Sequence, residues 1–259
     1  MNNPLSDSGH SSGWPRVLGA FAVIFVLYQA AEGIQTVIAP GHPAGPVLML
    51  AALFAAWPLG RWLGWRGYAA YGLRLVSRWL LLLVGGMLLA AMAKLASLAL
   101  SPLAGAGTLG ITGNALSPAF VGLALLTTFV PSVTEDILTR GFLLRTVPVR
   151  LGGWTYVLAS AALYTANHLW RFDWGLTEQI RLFCLGLVYA VAAWRWRSLW
   201  GAVALHWGWN LANALAAPLF TNDGGSVDAS RLLSATIHLT LRAIVLCLPA
   251  RAREPAAQP

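Results

Sequence analysis

The run Trp79-LLLLVGGMLLAAMAKLASLAL-Ser101 is apolar from end to end except for Lys94 and a few small residues. A helix rises about 1.5 Å per residue, so ~20 residues of this kind cross the ~30 Å of hydrocarbon in a bilayer. Working outward, comparable runs recur at about 17–39, 46–60, 117–134 (its helix continuing to about 147), 153–169, 179–195, 199–217 and 232–249. The whole chain of 259 residues is 58% hydrophobic and only 10% charged, where a soluble domain carries about a quarter charged residues. These features predict an all-α fold, a polytopic transmembrane helix bundle of about eight spans. It forms one domain over 16–250 with lipid as its surroundings, and leaves no room for a soluble domain. Residues 1–15, rich in Ser, Asn, Gly and Pro, read as a disordered tail. Residues 251–259 read as a C-terminal tail. No internal repeat is evident, and the first apolar run reads as a retained span rather than a cleavable signal.

The formal charge of +8 does not point to nucleic acid, because the arginines lie in short connections between apolar runs. Arg61, Arg66, Arg74 and Arg78 share one connection; Arg140, Arg145 and Arg150 fall in the next of that parity. Arg195 and Arg197 follow, then Arg251 and Arg253. The alternate connections, 40–46, 102–116, 170–178 and 218–231, are poor in Lys and Arg. Under the positive-inside rule both termini are then cytoplasmic. Arginine-led, nearly lysine-free composition without an organelle signal fits the inner membrane of a bacterium with a GC-rich genome. Cys184 and Cys247 lie inside apolar stretches and read as small hydrophobes, not as a disulfide framework.

Ionisable side chains within spans are costly and usually face the bundle interior. Several have bland readings. Glu32 and Lys94 read as structural glue, paired with each other or with a neighbouring helix. Arg242 can snorkel to the interface, His238 reads as a hydrogen-bonded packing residue, and Trp194, Trp196 and Trp200 read as interfacial anchors. The remainder group by spacing. Asp136 and Arg140 are i and i+4 on one helix, where they can form an ion pair. Glu135 points about 100° away, so the two carboxylates cannot share one role and Glu135 is left to face a cavity. His206, Asn210 and Asn213 form one stripe on an otherwise apolar helix. With a turn near 148–153, Glu135 and His168 lie roughly 22–25 Å from it on adjoining helices, at nearly equal depth. His206 and Asn210 lie roughly 13–20 Å from the following turn on the same rise.

A carboxylate shielded from water beside an imidazole has the ingredients of general-base chemistry. A second His with an Asn on one helical face suits a developing oxyanion, since both can donate. Together these serve amide hydrolysis, and no Ser or Cys is placed as a nucleophile with its base. Glu135, His168 and His206 equally suit Zn²⁺ with an open position for water, although no His-Glu-x-x-His signature is present.

Glu135-Asp136-x-x-x-Arg140-Gly, Tyr164-x-x-x-His168 and His206-x-x-x-Asn210 resemble the three motifs of the CPBP (ABI) intramembrane proteases. That family includes the type II CAAX prenyl endopeptidases, the Ras-converting enzymes. Its pattern is Glu-Glu-x-x-x-Arg, Phe-x-x-x-His and His-x-x-x-Asn, in that order on three helices, and here it falls within a motif core at 117–217. The resemblance implies that Glu135 and His168 activate water and that His206 and Asn210 form the oxyanion site. Asp136, Arg140, Tyr164 and Asn213 would support them, with either no cofactor or zinc. It implies a peptide or lipidated protein as substrate. Asp136 and Tyr164 depart from the pattern by one methylene and one hydroxyl. The other readings are a non-catalytic scaffold or bacteriocin self-immunity protein retaining the pocket, and a proton-coupled transporter. The last would bring internal repeats and interrupted helices.

Overall fold

A computed structural model describes residues 13–75, 78–146 and 152–250. The N- and C-terminal tails, Pro148 and Arg150 of the expected turn, and Arg251 and Arg253 lie outside these residues.

The chain is a bundle of long helices. In order they are α1 (Trp14–Gly33), extended by a π-turn over Ile34–Ile38; α2 (Ala44–Trp62); α3 (Trp79–Leu100); and α4 (Pro118–Asp136). A π-turn at Ile137–Gly141 carries α4 into the short α5 (Phe142–Thr146). Then come α6 (Gly152–Asn167), α7 (Leu176–Trp196), α8 (Leu199–Ala216) and α9 (Val227–Cys247). Two short strands, β1 (Thr108–Ile111) and β2 (Phe220–Asp223), pair antiparallel with Thr108 opposite Asp223. Side chains set the helix starts. Ser117, Ser198 and Ser226 each accept a hydrogen bond from a backbone N–H of the first turn, which satisfies one of the orphan donors there.

Among the described residues, six helices are long and apolar enough to cross a membrane: α1 with its π-turn, α2, α3, the continuous α4–α5 rod to Leu144, α7 and α9. The two remaining long helices also approach or carry polar groups. α6 has only 16 residues and ends at Asn167, and α8 holds His206, Asn210 and Asn213. The all-α membrane bundle expected from the sequence is therefore the fold observed.

α7 is the central element. Of its apolar window 67% is buried, against 17% for α3, and it packs on α6, α8 and α9. α3 lies at the outside and packs mainly along α8. That contact is built on small residues, as packing within lipid favours. A Cβ on Gly86 would stand 2.5 Å from Ala204 Cβ, and one on Gly208 would stand 2.8 Å from Met87 Cα.

Side-chain and backbone contacts tie the helix termini into two opposite ends. At one end Arg16 lies over Trp62, Trp79 packs on Trp200, Trp154 packs on Trp194, and Arg195 donates to the Leu248 carbonyl. At the other end Trp170 donates to the Gln29 carbonyl, Arg231 pairs with Glu178, and Ser226 N–H donates to Gly105. One expectation changes here, the interfacial placement of Trp196. Glu32 pairs with Arg171 at 3.0 Å, not with Lys94, whose ammonium lies 5.8 Å from the Trp209 ring centre. Trp196 is buried and packed on Gly201, because the left-handed Arg197 (φ 49°) turns the chain directly into α8 and closes over it. His238 is the packing residue expected, its Nδ1 2.8 Å from Ser234 O.

Candidate active site

α4 approaches the middle of the bundle with Pro131 inside it. Pro131 brings no N–H to the helical ladder, and Ser132 and Thr134 spend their hydroxyls on carbonyls one turn back. One residue beyond Glu135-Asp136 the ladder widens into the π-turn, a feature that marks functional sites in helices. Both carboxylates are buried. Arg140, with no exposed surface, donates to Asp136 and, at 2.9 Å, to Thr139 Oγ1. Its guanidinium lies over the rings of Tyr164 at 4.8 Å and Tyr189 at 5.2 Å. The i, i+4 pair expected from the sequence is present, enclosed by aromatic faces.

Glu135 stands between two imidazoles from other helices. Its Oε1 is 3.6 Å from His168 Nδ1 and its Oε2 is 3.5 Å from His206 Nε2. His168 Nδ1 is also 2.8 Å from the Tyr164 carbonyl. A carbonyl only accepts, so Nδ1 carries a proton and the neutral ring keeps its lone pair on Nε2. His206 Nδ1 faces Asp136 Oδ1 at 3.4 Å, and its ring stacks on Tyr189 with centres 4.8 Å apart. The two adjacent carboxylates therefore share a partner after all. An imidazole has nitrogens on two sides, and His206 spans the angle that separates their side chains.

Asn210 Nδ2 donates to Ser132 Oγ at 3.0 Å, which leaves its second N–H unassigned. Asn213 lines the same cavity but donates to the Trp209 carbonyl on its own helix. The cavity has a volume of about 310 Å³, and Glu135, Tyr164, His168, His206 and Asn210 contribute to its wall. Glu135, Tyr164, His168, His206, Asn210 and Asn213 thus line one cavity, with Asp136 and Arg140 buried beside it.

Sequence reasoning missed one layer. Asn167 Nδ2 donates to Glu135 Oε1 at 2.9 Å, and Gln29 Nε2 donates to Asn167 at its carbonyl (2.6 Å) and Oδ1 (3.0 Å). Asn167 escaped notice because it adjoins His168, and neighbours on a continuous helix diverge. The α-helix ends at Asn167, however, and His168 is non-helical (φ −89°, ψ 57°) before a 3₁₀ turn at Leu169–Trp174. That break lets both side chains turn toward Glu135. Glu32, read as glue, lines the cavity with Arg171. Burial works against the Arg171 charge, but Glu32, Tyr28, Tyr164 and Glu135 together outweigh it, and the guanidinium pKa is held above its ordinary value.

Among the described residues no group of three His, Cys, Asp or Glu side chains is arranged to hold a metal ion. His168 and His206 each face Glu135 but are set to opposite oxygens of it.

Fold and site together define an integral membrane helix bundle with a sheltered carboxylate–imidazole centre. Residues 117–212 match the family described as type II CAAX prenyl endopeptidase, Rce1-like. That segment carries Glu135, His168, His206 and Asn210, and its match supports membership of the CPBP family. Comparisons with curated proteins and with solved structures find no match.

Proposed function

We propose that the protein is an intramembrane endopeptidase that hydrolyses a peptide bond of a membrane-associated or lipidated substrate, in the cell membrane of a bacterium. The observation that carries this reading is the Glu135 carboxylate, buried between His168 and His206 at 3.6 and 3.5 Å. These separations exceed a direct hydrogen bond, and the cavity that Glu135, His168 and His206 line has room for water beside the carboxylate.

Glu135 is the base. It takes a proton from the water, whose oxygen attacks the carbonyl carbon while the His168 Nε2 lone pair orients the second O–H. The tetrahedral oxyanion is held by His206 Nε2–H and the free Asn210 N–H. Asp136, facing His206 Nδ1, stabilises the doubly protonated ring that donates there. Collapse breaks the C–N bond as Glu135 returns its proton to the leaving nitrogen, giving a carboxylic acid and an amine. Asn167 is a positioning residue, because its amide holds Oε1 and leaves Oε2 toward His206. The alternative scheme would place Zn²⁺ on Glu135, His168 and His206, where it would activate the water. A chelator separates the two: insensitivity supports the carboxylate scheme, and loss restored by added zinc refutes it.

The substrate is sought by comparing peptides released in membranes holding wild type or Glu135→Gln. Peptides found only with wild type support the reading. Identical sets would support the non-catalytic scaffold instead. The transporter reading gains from the π-turns in α1 and α4, but no inverted repeat accompanies them.

A further inference from the structure

The cavity is off-centre along the bundle axis. Its wall includes Glu32 and Thr36 from the end of α1, Met49 from the beginning of α2, Arg171 after α6, Arg181 from the beginning of α7 and Asn213 from the end of α8. Thr36 is two residues from the end of the π-turn, and Asn213 is three from the end of α8. At 1.5 Å per residue both lie within about 5 Å of those termini. All these termini belong to the end of the bundle joined by the Trp170–Gln29, Arg171–Glu32 and Arg231–Glu178 contacts. Among the described residues, none of the cavity wall comes from the opposite end.

The two ends differ in charge. The opposite end carries Arg16, Arg61, Arg66, Arg74, Arg78, Arg195 and Arg197, with no Asp or Glu among its described residues. At the cavity's end Arg171, Arg181 and Arg231 are matched by Glu32, Glu178 and Asp228, and Asp173 and Asp223 add further negative charge. Short connections rich in arginine stay in the cytoplasm. The asymmetry here is consistent, since the end whose arginines are matched by carboxylates is the end that bears the cavity.

We infer that the cavity opens on the extracytoplasmic face, so that the site takes a juxtamembrane peptide segment presented from that side, not a cytoplasmic tail. The substrate half of this inference rests on the endopeptidase reading above; the side of opening does not. A polypeptide entering between the α1–α2 turn and the Leu169–Trp174 turn meets the Arg171–Glu32 pair first. It reaches Glu135 and His206 deeper in the cavity.

The test has two arms. In a Cys184→Ala, Cys247→Ser background, single variants Thr36→Cys, Asp223→Cys and Leu75→Cys are treated in intact cells with a membrane-impermeant maleimide. Leu75 is 72% exposed and lies at the arginine-rich end. Labelling at 36 and 223 without permeabilisation, and at 75 only after it, is expected; the reverse pattern overturns the inference. In the second arm a reporter peptide is tethered to a membrane anchor on either side of the membrane, in cells with wild type or Glu135→Gln. Cleavage confined to the extracytoplasmic reporter is expected, and cleavage of the cytoplasmic one alone overturns it. If purified wild type and Glu135→Gln cleave neither peptide, the endopeptidase reading fails, while the labelling arm still decides which face the cavity opens on.

Discussion

His206 and His238 are both buried histidines in the core of a membrane bundle, and both pack on Tyr189. Their partners differ. His238 Nδ1 meets the Ser234 carbonyl at 2.8 Å, and its Nε2 meets the Tyr189 hydroxyl at 3.4 Å, so neutral neighbours use both nitrogens within the packing. His206 faces two carboxylates and a cavity. A buried imidazole is costly in either place. It is a candidate for chemistry only where its neighbours are charged and a substrate can reach it.

This contrast can be broken by substitution. The largest effect is expected of Asp136→Ala, which leaves the Arg140 guanidinium buried and unpaired. Breaking such a pair costs about 3–5 kcal/mol, so the folded yield and thermal stability in detergent should collapse, and near-normal stability would refute the structural role. His206→Ala and Asn210→Ala should each lower kcat by roughly 10²–10³ while the protein stays folded; kinetics with an identified peptide would check this. Asn167→Ala removes a hydrogen bond to a charged group, worth about 1.5–3 kcal/mol. It should reduce kcat with KM little changed; a purely structural role would instead show as lost stability at unchanged kcat. His238→Phe should be mildest. It leaves the Tyr189 hydroxyl without that partner, at about 1 kcal/mol of stability, and turnover should stay within about twofold. A collapse of turnover there would erase the distinction between the two histidines.

The sequence carried much of this arrangement. The long apolar runs announced the membrane helices, and the spacing of Asp136–Arg140 and His206–Asn210 put the right groups on the right faces. Equal depth across the α4–α6 hairpin brought Glu135 and His168 together without any knowledge of tilt. Other features depended on departures from regular helix, which periodicity cannot express. Asn167 reaches Glu135 because α6 stops there. His206 serves both acidic neighbours because its ring, not the helix, spans the angle between them. Glu32 found Arg171 instead of Lys94 because the turn after α6 folds back against α1, a contact set by Trp170 packing on Gly33. Trp196 left the interface for the core for a similar reason, a two-residue turn into α8 too tight to leave the indole outside.

The most direct trial is peptide release by purified protein in lipid bilayers, wild type against Glu135→Gln, with thermal unfolding measured on the same samples. The change keeps the shape of the side chain and removes its ability to take a proton. Abolished release at unchanged stability is the predicted result, and release at the wild-type rate would contradict the assignment of Glu135 as the base.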